Sequence, residues 1–235
     1  MPRPVVLDLF NTLLHGADDE RDRVVGEMAV MLGVPPAALV AAYNDTWRDR
    51  LVRWSVEETV RILAGRILAR SSGADPDERA DPSEQQVARA AEHRRALAHR
   101  VLGAVPATTL DVLDLLRAGG HRLALISNAT ADTAEAWPHN PLAQRFDVAV
   151  FSCEIGLAKP DPGIYRAAAK RLGADPAECI FVGDGADREL HGAAAAGMTA
   201  YRTIEFHDSD PSWSGPTLAS IGELPALLRQ ASVGH

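Results

Sequence analysis

Lysine is almost missing from this chain: of 24 basic residues only Lys159 and Lys170 are lysines, against 22 arginines. Cysteine is as scarce, with two residues. Cys153 and Cys179 stand far apart and fit reduced thiols better than a disulfide framework. No apolar stretch approaches 18 residues, which argues against a membrane-spanning helix, and the first residues carry no signal-peptide core. Cytoplasm is the expected compartment. No basic block stands out, so a nucleic-acid partner is not expected. The eight histidines show no zinc-ligand spacing. What remains is an ordinary globular balance: 235 residues, 46% hydrophobic, 24% charged, formal net charge −8. That length suits one good-sized domain, or a core with a smaller accessory domain.

The arginine bias gives the two lysines meaning. A lysine kept in such a chain marks a place where a compact ammonium is needed and a guanidinium fork would not fit. Lys170 falls inside a helical pattern and is an ordinary helix residue. Lys159 is not so easily set aside.

Two textures alternate along most of the chain. Short apolar runs ending in small or polar residues recur at 5–9, 123–127, 148–152, 180–183 and 199–201. Amphipathic helical patterns separate the later ones, at about 110–118, 163–172 and 189–196. Buried strands alternating with helices predict a parallel, doubly wound α/β sheet, which binds ligands at the carboxyl ends of its strands.

Residues 15–103 break the alternation and read as helix throughout. Leu39, Tyr43, Trp47, Leu51 and Trp54 make one apolar stripe at helical spacing. Ser55-Val-Glu-Glu58 is a capping box opening a helix with core face Val56, Val60, Leu63 and Ile67. Residues 71–83 read as a loop, and a helix over about 84–102 closes the insert. The expected organisation is an α/β core of residues 1–14 and 104–235, with a helical subdomain of residues 15–103 inserted after the first strand.

Four strand ends carry the chemistry. Asp8 ends the first run, in Val-Val-Leu-Asp8-Leu-Phe10-Asn-Thr12. Alone it reads as nucleophile, metal ligand or plain strand-end cap. The second site offers Ser127 and Asn128. The third, Lys159-Pro160-Asp161-Pro162, puts a lysine just before a helix with Asp161 as N-cap and Pro162 in its first turn. The fourth, Gly183-Asp184-Gly-Ala-Asp187-Arg-Glu189, offers a second strand-end carboxylate and further acids. Nucleophile, hydroxyl, cation and acids together suit a phosphoryl group handled with a hard metal ion.

In order and spacing these segments resemble the four motifs of the haloacid dehalogenase superfamily, and the helical insert resembles its C1-type cap. The resemblance spans almost the whole chain. It implies a Rossmann-like core, a small phosphorylated substrate and Mg²⁺. It makes Asp8 the covalent nucleophile and Lys159 the cation that offsets charge beside it. Thr12, Ser127 and Asn128 would hold the transferring group. Asp8, Asp184 and the main-chain carbonyl of Phe10 would hold Mg²⁺, with Glu189 as the further acid. Asp187 is the alternative to Glu189, though a helix N-cap is its expected role.

One position departs from the pattern. Most phosphatases of this superfamily place a second aspartate, the general acid and base, where this chain has Phe10. Its loss costs roughly 10²–10⁴-fold in rate. Three readings follow. A phosphohydrolase would need a good leaving group, or a proton from the cap or from His15. A 2-haloacid dehalogenase also carries an aromatic residue here, since halide leaves without a proton, and Arg48 would then bind the substrate carboxylate. A catalytically weak binding protein is the third. Gly183-Asp184, which the dehalogenases lack, ranks the phosphohydrolase first. Phosphonate hydrolysis is excluded, because it takes a cap lysine and residues 15–103 contain none.

Overall fold

The apolar runs form one six-stranded sheet in which every strand is parallel to its neighbours. The computed structural model describes residues 2–72 and 81–233, so the loop expected at 71–83 lies largely outside the described residues. The chain starts with β1 (Val5–Leu7) and then leaves the sheet for five helices: α1 (Asp18–Leu32), α2 (Pro36–Asp45), α3 (Trp47–Val52), α4 (Val56–Ser72) and α5 (Glu84–Gly103). It returns through α6 (Ala107–Ala118), β2 (Leu123–Ser127), α7 (Ala131–Ala136), β3 (Val148–Phe151), α8 (Ser152–Ile155) and α9 (Pro162–Leu172). The last elements are β4 (Ile180–Gly183), α10 (Glu189–Ala195), β5 (Thr199–Thr203), β6 (Thr217–Leu218) and α11 (Leu224–Val233).

The strand order is β3-β2-β1-β4-β5-β6. After β1 the chain builds outward through β2 and β3, then crosses back to lay β4 against the other side of β1. That reversal is a topological switch point, and it opens a crevice at the carboxyl end of β1. Successive residues of a strand face opposite sides. Val5 and Leu7 accordingly join one buried cluster with Leu123, Leu125, Ile180 and Val182. Val6 joins another with Ala124, Ile126 and Phe181. Both faces are covered by helices, which is why these strands read as unbroken apolar runs.

The helices between β1 and β2 have their own core. Val24, Met28, Leu39, Tyr43, Val60, Leu63, Val87 and Leu97 pack into a third cluster built only from residues 24–97. The Ser55 box is present: the Ser55 amide donates to Glu58 Oε2 at 2.8 Å and the Glu58 amide donates to Ser55 Oγ at 3.2 Å. Val56, Val60, Leu63 and Ile67 are buried as expected. The fold is therefore a Rossmann-like α/β core with a helical cap.

The structure corrects the single stripe drawn from Leu39 to Trp54. Thr46 leaves helical geometry at φ −106°, its hydroxyl donating back to the Ala42 carbonyl at 2.7 Å. The stripe is thus split between α2 and α3, and Trp54 falls beyond both. A Thr hydroxyl that bonds its own preceding turn competes with the helix ladder, which is the physical reason for the break.

Candidate active site

Asp8 leaves β1 with its amide still donating to the Val182 carbonyl of β4 at 2.9 Å, so its position is set by the sheet. Its side chain is buried, and the Thr12 hydroxyl donates to Oδ2 at 3.0 Å. Lys159, from the segment before α9, donates to Asp8 Oδ1 and to Glu189 Oε2, the latter at 2.5 Å. Asp184 follows β4. It is held by the Ala186 amide on Oδ1 at 3.0 Å and by the Ser209 hydroxyl on Oδ2 at 2.5 Å. Glu189, the first residue of α10, accepts from the Gly185 amide at 3.0 Å and is fully buried.

Asp8, Asp184 and Glu189 bring carboxylate oxygens within 4.8 Å of one another. Gly183 makes room for this. A Cβ there would stand 2.0 Å from Glu189 Oε1, so only glycine admits that carboxylate. Gly185 adds a left-handed turn, at φ 99°, that a side chain would strain.

The electrostatics follow from burial. Loss of solvent raises the Asp8 carboxyl; Lys159 works against that rise and Asp184 adds to it. Burial, then the neighbouring Asp8, raises Glu189 well above the ordinary range despite Lys159. For Lys159 burial pulls the pKa down, but Asp8 and Glu189 outweigh it and the net change is upward. Three carboxylates against one ammonium leave two formal negative charges without a partner in this cluster. All-oxygen donors with surplus negative charge fit a hard divalent cation.

Beside this cluster lies a second group. Ser127 ends β2, is 1% exposed, and its Oγ has no hydrogen-bond partner among the described residues. Asn128 is clamped: its Oδ1 accepts from the Lys159 amide at 2.8 Å, and its Nδ2 donates to the Lys159 carbonyl at 3.1 Å and to Asp187 Oδ2 at 2.8 Å. Asp187 is therefore not the N-cap expected of it. It has left-handed backbone at φ 55°, and α10 begins without a side-chain cap. Asp161 does cap α9, accepting from the Gly163 amide at 2.7 Å.

A cavity of about 240 Å³ opens between the cap and these strand ends. Phe10, Asn128 and Asp187 line it from the core; Trp47, Arg50 and Arg94 line it from the cap. Phe10 is half-buried, its ring side packed against the core. Arg48 is not brought there: it is exposed, with its guanidinium 5.1 Å from the centre of the Trp47 ring. It lies off the buried face of α3, whereas Arg50 lies on it. His15 is exposed and meets Phe206 edge-on at 4.5 Å.

Sequence reasoning missed Arg94, Tyr165 and Ser209, and it singled out Arg48 and not Arg50. Arg50 sits three residues after Trp47 within α3, a spacing that puts the two on one helix face. Tyr165, whose hydroxyl donates to the Glu189 carbonyl at 2.8 Å, and Ser209, in a patternless loop, carried no such signal.

A carboxylate at the switch point, its paired lysine and two further acids thus lie together at one edge of the sheet. The chain belongs to the haloacid dehalogenase-like hydrolase family, whose model matches residues 3–197. It is 33% identical over 150 residues to a glyceraldehyde 3-phosphate phosphatase of Methanopyrus kandleri, covering 62% of this chain and 60% of that protein. It is 31% identical over 135 residues to (S)-2-haloacid dehalogenase 1 of Pseudomonas sp. strain CBS-3, covering 56% and 59%. The matches thus span less than two thirds of either relative. Among solved structures, a 2-haloacid dehalogenase from Pseudomonas syringae pv. Tomato superposes with a TM-score of 0.69 at 24% identity, over 98% of this chain and 100% of that one, a likeness of fold. Relatives on both sides leave phosphatase and dehalogenase chemistry to be argued from the site.

Proposed function

We propose that this protein is a Mg²⁺-dependent phosphohydrolase acting on small phosphorylated substrates through an aspartyl-phosphate on Asp8. The observation that carries the reading is the buried triad of Asp8, Asp184 and Glu189, whose negative charge Lys159 only partly offsets. A haloacid dehalogenase would bring yet another carboxylate to this negative cluster, at a Coulombic cost that a dry site magnifies.

In this reading an Asp8 carboxylate oxygen attacks phosphorus and the ester oxygen departs with the bonding pair. Water then cleaves the aspartyl-phosphate and returns Asp8. Lys159 holds the nucleophile in place and offsets its charge, and Thr12 orients it through Oδ2. The unpartnered Ser127 hydroxyl and the clamped Asn128 would hold the transferring group. Asp8, Asp184, Glu189 and the Phe10 carbonyl would bind Mg²⁺, which when bound neutralises phosphoryl oxygens. The segment 15–103 would hinge near residues 14 and 104 to admit substrate and then exclude water. Two free cysteines suit a cytoplasmic setting.

A second reading rests on Phe10. An aromatic residue at the cavity needs no replacement acid if the leaving group is halide, and Asp8 would then displace it from carbon. The test is a panel of phosphate esters with Mg²⁺, run in parallel with 2-chloropropionate in EDTA. Mg²⁺-dependent ester hydrolysis that is lost in a folded Asp8→Asn variant is expected. Turnover of 2-chloropropionate in EDTA, without ester hydrolysis, would replace the first reading by the second.

A further inference from the structure

The loop of residues 204–216, which joins β5 to β6, returns to the acid cluster and touches Asp184 twice. The Ser209 hydroxyl donates to Asp184 Oδ2 at 2.5 Å, and the Ser209 amide donates to the Asp184 carbonyl at 3.3 Å. Asp184 is 1% exposed, and its Oδ1 accepts from the Ala186 amide at 3.0 Å. Each carboxylate oxygen thus has one acceptor position engaged by the chain and a second to offer a cation. Two donors, one on each oxygen, fix the plane of the group. Lys159 donates to Asp8 and to Glu189; Asp184 takes its side-chain bond from Ser209 instead.

The loop is gripped on both sides of Ser209. Arg202 of β5 stands in register with Gly183 of β4, the residue before Asp184. Its Nη1 donates to Asp208 Oδ1 at 2.9 Å and also to the Asp210 carbonyl. Asp210 lies on the turn that follows Asp184, where a Cβ at Gly185 would stand 2.5 Å from the Asp210 Cβ. The Ser212 hydroxyl holds Asp210 Oδ1 at 2.6 Å. A contact that served only to fasten the loop would be complete with the Arg202 grip and the backbone bond. The hydroxyl adds a charge-assisted bond aimed at one carboxylate of the cluster.

We propose that Ser209 is a positioning residue for Asp184: its hydroxyl holds the carboxylate in the orientation a divalent cation needs, and Arg202 aims that hydroxyl through residues 208 and 210. This rests on the Mg²⁺ part of the phosphohydrolase reading and deepens it. Neither residue touches the substrate. A carboxylate already fixed in place loses no rotamer freedom when the metal arrives, so the gain appears as metal affinity.

The experiment is calorimetry of Mg²⁺ binding to metal-free protein, without substrate. Ser209→Ala is expected to bind Mg²⁺ about 10–100-fold more weakly than the wild type, the usual cost of losing a partner of a metal ligand. Ser209→Thr, which keeps the hydroxyl, should retain most of the affinity. Arg202→Met should also weaken binding, although loss of a positive charge would by itself favour a cation. In the double variant it should add little to Ser209→Ala, because Arg202 acts through the same hydroxyl. In the ester assay Ser209→Ala should need more Mg²⁺ for half-maximal rate, with the substrate KM at saturating Mg²⁺ unchanged. Melts with EDTA and with Mg²⁺ exclude a merely structural tie, whose loss would lower both by the same amount. If Ser209→Ala does not fold, Ser209→Cys, close in size but a much weaker donor, makes the same comparison.

Wild-type Mg²⁺ affinity in a folded Ser209→Ala overturns the proposal, as does a Ser209→Thr as weak as Ser209→Ala. Full additivity in the double variant overturns the part given to Arg202. If the wild type itself binds no Mg²⁺, the metal reading has failed and the inference falls with it; that result is distinct, because the other failures leave the wild type bound.

Discussion

Lys159 donates to Glu189 at 2.5 Å and, with the same ammonium, to Asp8. One of only two lysines in the chain thus ties the end of the first strand to the start of α10. The site is 4% exposed at the lysine side chain and 0% at Glu189, so neither group has water to fall back on.

Lys159→Ala should therefore be costly. Breaking a buried pair leaves an uncompensated charge worth about 3–5 kcal/mol. For a chain of this size that is a fall in Tm of roughly 6–20 °C. Lys159→Arg should also lose turnover, since a planar fork cannot occupy the space of a compact ammonium between two carboxylates. Thermal melts and an ester assay on both variants check this. A Lys159→Ala protein melting with the wild type would contradict it.

Mg²⁺ should stabilise the protein even without substrate. At a hundred times its Kd a ligand that binds only the folded state adds about 2.7 kcal/mol. The melt should rise by roughly 5–10 °C with Mg²⁺ and fall back with EDTA. Asp184→Ala should abolish the shift and the turnover together. An unchanged shift in that variant would remove Asp184 from the metal site.

Phe10 cannot give a proton, so hydrolysis should depend steeply on leaving-group acidity. Aryl and acyl phosphates should react much faster than alkyl phosphates. Phe10→Asp should accelerate the poor leaving groups and hardly change the good ones. The gain should fall short of the roughly 10²–10⁴-fold of a placed general acid, because nothing around residue 10 positions the new carboxyl. If the wild type treats alkyl and aryl esters alike, another group supplies the proton, and His15 is the first to mutate.

Both thiols should be silent in the native protein. Burial pushes Cys153 up to about 12 and Cys179 up to about 11. At pH 8 the thiolate is then on the order of a thousandth of the population or less. Folding raises both values, so the folded state holds these protons more tightly, and stability should fall as pH climbs from the ordinary thiol range toward them. Titration with a thiol reagent at pH 8 should count no cysteines before denaturation and two after it. Rapid native labelling of either would show that its site is open.

The division between sequence and structure is clearest at particular residues. Lys159 follows α8, eight residues past the end of β3, and stood out only by its rarity and the motif around it. Asp8, Ser127 and Asp184, by contrast, were legible because a polar residue that ends a buried run must emerge at the carboxyl edge of the sheet. That is a local property of the strand. The Ser55 box and its helix face were legible for the same reason, since capping and 3.6-residue periodicity act over one or two turns.

Tertiary structure alone decided what those residues meet. Whether the arginine on the α3 stripe faces a packed core or a cavity depends on how the cap sits over the strand ends. Asp187 turned to Asn128 instead of capping α10, because the Asn128 amide arrives from a strand end 59 residues away. Ser209 reached Asp184 through the path of a loop whose sequence has no period to read. Periodicity and caps report forces that act between near neighbours, whereas these partners are chosen by chain closure over long separations. The amino-acid order therefore determined the elements and the residues at their ends, and the packed fold determined their partners.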